Sequence, residues 1–517
     1  MKASQQLSIS KCITGLLLVP VFLFFSNAYA QREAVIALDT THQRIRGFGG
    51  ANILPWRPDM TDSEIETAFG IEDGQLGLSI LRLMIDPVIN NWNLNLHTAR
   101  MARDMGVLIF ASPWNAPSSM LEIINGQRRV RHDKYEDYAY HLDDFNFFME
   151  DNGIPLYAIS VQNEPDYGDW TRWTDQDMYT FMRDYASIIN NRVIAAESFQ
   201  FRHEITDPIL NDPVACANLD IVGGHLYGDG LAPYPLAESK GKEVWMTEHW
   251  SDGENNGNDW PLALNIGAEI NSCMHDGMHA YVLWYIVRYY GLISDGTNNS
   301  GSKGDVTKRG YVMSQFARFI RPGYLMLECD EHPQNSISTS AYIDSTESKV
   351  VVIAVNNSWN EKDQTFIFQN GAVEMVTPYV TSETKDCLQE SAISIADSSF
   401  SATLEGKSIT TFVSSGNVTV GVEHPPANKV SSFSLSQNYP NPFNPSTRIN
   451  FEIPNKTFVS LKVYNLLGEA IKELAGKEYS PGAHSVKFDA SYLSNGVYFY
   501  TLRTTNFKET KKMFVIK

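Results

Sequence analysis

The chain has 517 residues, with 60 acidic against 41 basic side chains and a net charge of −19. At roughly 100 to 200 residues per domain this gives two to four domains and excludes a peptide or a single small module. The acidic surplus, uninterrupted by any basic run, excludes a nucleic-acid backbone as ligand, while aromatics at 12 % suit a protein that stacks flat apolar faces.

At the N-terminus, Met1, Lys2 and Lys11 precede an apolar run from Ile13 to Phe25 and the sequence Asn27-Ala28-Tyr29-Ala30. A positive flank, a short apolar stretch and an Ala-x-Ala end make residues 1–30 a secretory signal peptide, cut after Ala30. The run is too short to cross a bilayer, which takes about 20 residues, so the mature chain is expected to be exported with no transmembrane segment. Cys12 leaves with the signal. Cys216, Cys273, Cys329 and Cys387 remain, in no C-x-x-C pair, which argues against a zinc site or a disulfide scaffold. Export permits a bond between Cys329 and Cys387, although unpaired buried thiols are the favoured expectation.

Residues 31–44 contain a strand, Ala34–Leu38, expected to join a β domain that comes later in the chain. From 45 to 320, short β-branched and aromatic runs alternate with longer amphipathic ones. Eight strands are predicted: Ile45–Gly50, Ser79–Asp86, Val107–Trp114, Tyr157–Pro165, Val193–Ser198, Asp220–Gly228, Glu243–Trp250 and Tyr281–Gly291. Between them lie stretches such as Met178–Asn190, with apolar residues at helical spacing. Eight βα units close as a (β/α)8 barrel. An open doubly wound sheet would carry a G-x-G-x-x-G phosphate loop after its first strand, which Gly47-Phe48-Gly49-Gly50 is not. Residues 321–415 alternate as strands of a side β-sandwich, 416–433 read as a linker, and 434–517 form a third, strand-rich module.

Barrel enzymes build their sites at the C-terminal ends of the strands. Two glutamates occupy such ends, in Val161-Gln162-Asn163-Glu164-Pro165 and Trp245-Met246-Thr247-Glu248-His249. Glycoside hydrolysis needs two carboxyl groups flanking one bond, one protonated to assist the leaving oxygen and one ionised; a gap of about 5 to 5.5 Å gives retention through a covalent glycosyl-enzyme. Spacing alone leaves the two roles interchangeable.

Several segments together resemble glycoside hydrolase family 30, most closely its subfamily 8, the bacterial glucuronoxylanases. They are Arg46-Gly47-Phe48-Gly49-Gly50, Ala111-Ser112-Pro113-Trp114-Asn115, Tyr157 through Tyr167, His225-Leu226-Tyr227-Gly228, Trp245-Met246-Thr247-Glu248, and Lys308-Arg309-Gly310-Tyr311 before Arg321-Pro322-Gly323-Tyr324. The resemblance covers residues 34 to 415. It implies a barrel fused to a side β-sandwich, a retaining mechanism with Glu164 as acid/base and Glu248 as nucleophile, endo-attack on β-1,4-xylan, and no cofactor or metal.

Members of the subfamily grip a (4-O-methyl)glucuronic acid branch, for which a guanidinium fork is suited. Residue matching places Arg288 on the uronate-binding arginine, with Tyr290 and Trp56 beside it. Two departures stand out. Val287 replaces a first arginine, and His249 to Asn256, with Asp252 and Glu254, replaces a tyrosine-rich loop, which puts strict dependence on the branch in question. Trp114 and Trp284 are expected to wall the sugar site, with Tyr167 on its rim. Asn163 is expected to donate to the sugar 2-hydroxyl, His225 and Tyr227 to steer Glu248, and Arg82 to keep Glu248 ionised. A barrel-rim salt bridge is the plain alternative for Arg288.

The C-terminal module resembles the type A sorting domain of the type IX secretion system, on Leu435 through Phe443, Val463-Tyr464-Asn465, Leu493 through Tyr498 and Lys511-Lys512-Met513. That implies a Gram-negative host and secretion or cell-surface attachment through this machinery; a carbohydrate-binding module is the alternative. The expected activity is a secreted retaining endo-β-1,4-xylanase acting on glucuronoxylan. Its rivals are a family 30 xylanase independent of the branch, an exo-β-xylosidase or β-glucosidase, and a noncatalytic polysaccharide-binding surface protein.

Overall fold

Eight short strands, buried along nearly their whole length, supply the centre of the fold, as expected where a parallel sheet is covered on both faces. In the computed structural model, which describes residues 33–515 except 229, 251–255, 345–348, 421–432, 439–440, 444, 467, 480–481 and 506, β1 spans Glu33–Arg44. The barrel strands are β2 (Gly47–Ala51), β3 (Ile80–Met84), β4 (Leu108–Ser112), β7 (Ala158–Ser160), β8 (Val193–Ser198), β9 (Ile221–His225), β10 (Glu243–His249) and β11 (Ala280–Leu283). A small hairpin, β5 (Leu121–Ile124) and β6 (Gln127–Val130), lies between β4 and β7. The eight close in the order β10-β11-β2-β3-β4-β7-β8-β9, every pair parallel. The barrel expected from the sequence is therefore present. Only β8 keeps its predicted span and the other strands are shorter, most of all β7 and β11: β7 stops at Ser160 and β11 at Leu283, so Glu164 and Arg288 lie on loops beyond them. The helix predicted over Met178–Asn190 spans Asp175–Asp184, set by a capping box between Thr174 and Asp177.

Ile80, Phe110, Ala158, Ile194, Ile221, Trp245, Ala280 and Val282 form one apolar plug from seven strands. Side chains two residues on share a face, so Arg82, Ser112 and Ser160 follow Ile80, Phe110 and Ala158 toward the mouth. The glycine-rich β2 answers a steric demand: a Cβ on Gly49 would sit 2.2 Å from the Ile80 carbonyl oxygen.

The second unit is a ten-stranded sheet holding β1 and β12 (Leu325–Cys329), β13 (Ile337–Asp344), β14 (Lys349–Asn356), β15 (Lys362–Gln369), β16 (Gly371–Thr381), β17 (Leu388–Gln389), β18 (Ile393–Ser394), β19 (Ser399–Leu404) and β20 (Ser408–Val420). β1 lies between β12 and β15, and is longer than the predicted Ala34–Leu38. Phe366 of β15 meets Phe412 of β20, which is not its sheet neighbour, at 5.2 Å, so the sheet folds over its own core. Val351, Ile353 and Val355 belong instead to the barrel's core, which is why β14 reads as an unbroken apolar run. The helices Leu262–His275 and Lys308–Ala317 carry this junction, with the buried bonds Ser340 Oγ to Asn271 Oδ1 (2.6 Å) and Gln315 Nε2 to Thr381 Oγ1 (2.8 Å). The first residues of the linker expected at 416–433 belong to the sheet instead: residues 416–420 complete β20, with 418–420 paired to Gly371–Val373 of β16. The segment 1–30, expected to be a signal peptide, and residues 421–432 lie outside the described residues.

The C-terminal module has its own core between a three-stranded and a four-stranded antiparallel sheet. Cys216, Cys273, Cys329 and Cys387 are all free thiols. Among the described residues no helix is long and apolar enough to cross a membrane.

Candidate active site

Arg82 stands at the centre of the barrel mouth, wholly buried, and its guanidinium organises three carboxyl-bearing elements. Nη1 donates to Glu248 Oε2, Nη2 to Asn163 Oδ1 (2.6 Å) and Glu197 Oε1 (3.0 Å), and Nε to Ser112 Oγ (3.3 Å). Its carbon lies 4.7 Å from the Trp114 ring centroid. Burial opposes a charged arginine, but the charges of Glu197 and Glu248 more than offset it, so the group stays protonated.

Glu248 would point away from Arg82 in a regular strand, since Trp245 and Thr247 share the inner face. A register shift between Met246 and Glu248 turns it inward. Tyr227 Oη then donates to Glu248 Oε1 at 2.7 Å. Both oxygens of Glu248 accept hydrogen bonds, the arrangement expected of a carboxylate. A second shift, between Ala196 and Ser198, does the same for Glu197. Glu164 and Glu197 have φ of 47° and 51°, a region side-chain-bearing residues rarely enter, and Glu164 N donates to Glu197 O at 3.1 Å. Such backbone is found where surrounding structure enforces it, often at functional sites.

Glu164 accepts from Trp170 Nε1 at 2.7 Å, and its other oxygen lies 3.0 Å from His225 Nδ1. His225 had been expected to steer Glu248; the structure sets it against Glu164 instead, because the imidazole lies between Glu164 and Glu197, with Nε2 3.9 Å from the latter. Burial lowers the His225 pKa, but the charge of Glu248, the bond to Glu164 and the nearness of Glu197 raise it to about 9. Burial likewise raises the Glu197 carboxyl, yet Arg82, His225 and the Ser160 hydroxyl hold it down at about 2. One oxygen each of Glu164 and Glu248, with a nitrogen of His225, lie within 4.8 Å of one another. Donors of this kind can hold a cation, but here Arg82 and a protonated His225 already supply positive charge.

Around this centre the aromatic residues form two walls. Trp56, 44 % exposed, stacks on Trp170 at 5.6 Å and meets Trp114 edge-on at 5.5 Å; Trp114 lies 5.9 Å from Trp284. Opposite, Tyr167 stacks on Phe199 (4.6 Å) and Phe199 on Tyr227 (4.8 Å). Asn163 Nδ2 is buried without a partner among the described residues, so a donor remains for a ligand. Arg288 pairs with no carboxylate among the described residues; its carbon lies 5.6 Å and 5.4 Å from the Tyr289 and Tyr290 rings. Nearby Asp295 is taken by Arg57. The Asp252 and Glu254 segment lies outside the described residues.

Trp170 and Phe199 are not among the site residues expected from the sequence, and Glu197 is expected there only as one of the polar groups at the strand ends, without a role. Trp170, six residues after Glu164 in a polar loop, was the readable signal. Phe199 and Glu197 depend on the register shift, which leaves no mark in composition.

The comparisons with known proteins agree with this geometry. Residues 437–517 match the family model described as Secretion system C-terminal sorting domain. Over 397 residues, 74 % of this chain and 92 % of the relative, the chain is 44 % identical to the glucuronoxylanase XynC of Bacillus subtilis. Among solved structures it resembles a GH30 endoxylanase from Clostridium papyrosolvens (39 % identity, TM-score 0.68) and the glycoside hydrolase family 30 subfamily 8 xylanase Xyn30A from Clostridium acetobutylicum (36 %, TM-score 0.68). Each comparison covers 74 % of this chain and all of the other.

Proposed function

The chain belongs to glycoside hydrolase family 30, subfamily 8, and is an exported glycoside hydrolase; we propose that it cleaves glucuronoxylan internally, with Glu248 as nucleophile, Glu164 as acid/base and Arg288 as the reader of the uronate branch. The observation that carries this reading is the approach of Glu164 and Glu248 to within 4.8 Å across the mouth. That spacing leaves no room for a water between carboxylate and sugar, so the carboxylate itself attacks and configuration is retained.

The partners of each glutamate support the division of roles. Both oxygens of Glu248 are held, one by the Arg82 guanidinium and one by the Tyr227 phenol, which fixes its orientation for attack. With Arg82 and His225 positive and Glu197 and Glu248 negative, the cluster is neutral when Glu164 carries a proton. In the first step a Glu248 oxygen bonds to the anomeric carbon, the bond to the departing chain breaks, and Glu164 gives that chain's oxygen its proton. Loss of the Glu248 charge then leaves Glu164 as an anion beside His225. It takes a proton from water as the water oxygen bonds to the anomeric carbon, and the ester to Glu248 breaks.

Asn163 Nδ2 is available for the 2-hydroxyl, and the four-tryptophan wall offers apolar faces to xylose rings. Arg288, free of carboxylate partners among the described residues, can take a uronate in bidentate fashion. The C-terminal module directs export, which we assign to the type IX secretion machinery. Mass analysis of the products from glucuronoxylan tests the whole reading. Internal products each carrying one branch at a constant distance from the reducing end are expected; release of single xylose units would overturn it.

A further inference from the structure

Trp359 is 75 % exposed, the most exposed tryptophan among the described residues; the two next, Trp56 at 44 % and Trp250 at 41 %, lie at the catalytic mouth. Single exposed apolar side chains are common on folded proteins, but this indole is mounted on a stiff turn. Asn356, fully buried, donates through Nδ2 to the carbonyls of Asn360 (2.9 Å), Leu404 (3.1 Å) and Glu405 (2.8 Å), and its Oδ1 accepts from Ser358 N (3.0 Å) and Oγ (2.7 Å). Lys407 N closes the turn onto Ser358 O at 2.7 Å. Gly406 permits that closure, because a Cβ there would lie 2.3 Å from the Trp359 carbonyl oxygen.

The Lys407 ammonium stands 5.2 Å from the indole centroid and donates to Asn357 Oδ1 at 2.7 Å, so it backs one face of the ring and leaves the other open. Asn357 also lines a cavity of about 550 Å³ together with His332, Gln334, Asn335 and Ser336. An open aromatic face beside amides and hydroxyls is the chemistry that recognises a pyranose: ring C–H groups on the indole, hydroxyls on the polar side chains. The turn also touches the residues just ahead of the helix Leu262–His275, which follows β10. Trp260 Nε1 donates to Lys407 O at 3.2 Å, and Trp260 closes the segment that leaves β10 at the barrel mouth.

We propose that Trp359, with Asn357 and the adjoining groove, forms a second polysaccharide-binding site on the side β domain, taking an undecorated run of the xylan chain. The choice of xylan rests on the function proposed above. The preference for an undecorated run follows from the groups present: the cation at hand, Lys407, is already bonded to Asn357. The site adds affinity for the polymer by tethering it near the mouth, and has no effect on a substrate short enough to occupy the mouth alone.

The test uses the full chain carrying Glu248→Ala, which binds without turnover, with and without Trp359→Ala. Sedimentation with insoluble xylan is expected to show about tenfold weaker binding for the double variant, and Trp359→Phe is expected to recover much of the loss. In the otherwise native enzyme, Trp359→Ala should lower kcat/KM on polymeric xylan and leave that on a short aryl xylo-oligosaccharide unchanged. Equal sedimentation of the two Glu248→Ala chains would overturn the site. Failure of the parent Glu248→Ala chain to sediment with xylan would strike the xylanase reading itself, and with it the identity of this ligand.

Discussion

The two sides of the barrel mouth are built on opposite principles. On one, Arg82, His225, Glu164, Glu197 and Glu248 are buried and bonded to one another, with their charges almost cancelled. On the other, Trp56, Trp250 and Arg288 are more open, and the guanidinium forms no ion pair with a carboxylate among the described residues. Breaking the bond requires groups fixed before the substrate arrives, whereas choosing the bond requires a charge left unspent until the right branch appears. Substitutions on the first side should therefore damage turnover of every substrate, and loss of the central Arg82 the fold as well, whereas loss of Arg288 on the second should alter only selectivity.

The largest effect is expected for the glutamates. Glu248→Ala should abolish turnover, and Glu164→Ala should lose ~10²–10⁴-fold on xylan, the usual range for an acid/base group. Azide should speed Glu164→Ala on an activated aryl glycoside with retention of configuration, since the glycosyl ester still forms; the anomer of the azide product, read by NMR, checks this. Arg82→Met comes next. It leaves Glu197 and Glu248 buried without their cation, a loss of about 3–5 kcal/mol that denaturant unfolding would register along with loss of activity. A variant as stable as the parent would break the contrast between the two sides.

A smaller effect should appear in pH dependence. Glu197 is lowered from 4.5 to about 2, so its contribution to stability is complete above about pH 4.5 and is lost as pH falls toward 2. His225 is raised from 6.5 to about 9, so its contribution is complete below pH 6.5 and is lost as pH rises through 9. Melting temperature from this cluster should thus form a plateau between about pH 4.5 and 6.5. Glu197→Gln should remove the acid limb and, by withdrawing an anion from His225, bring the alkaline limb to lower pH. Unchanged limbs in thermal scans would mean the cluster does not hold these charges.

The same contrast decided how much could be read in advance. Strand positions followed from runs of apolar residues bounded by turns, and Glu164 and Glu248 from their place at strand ends within distinctive local sequences. The bonds among the buried groups were less legible. His225 pairs with Glu164 because Glu197 draws the imidazole between them, and Glu197 reaches that place only through a register shift at Ala196–Ser198. A one-residue shift changes which face a side chain takes without changing composition or period. β20 runs past the expected boundary for a related reason: Gly416 and Asn417 fall at a register shift in the strand, and residues 418–420 pair with β16 beyond it. Trp170 reaches Glu164 by a loop that folds back, which no periodicity marks.

The smallest and most selective effect is expected at Arg288. A bond between charged groups contributes about 1.5–3 kcal/mol, so Arg288→Met should cost roughly 10–100-fold in kcat/KM on glucuronoxylan. The loss should vanish on arabinoxylan, which has no uronate for the guanidinium to hold, and the buried side of the mouth should leave stability untouched. The replacement of the first family arginine by Val287 makes this measurement sharper, because one cation instead of two carries the recognition. Equal loss on both polymers would mean that Arg288 shapes the barrel rim, and selectivity for the branch would have to come from the loop after Glu248.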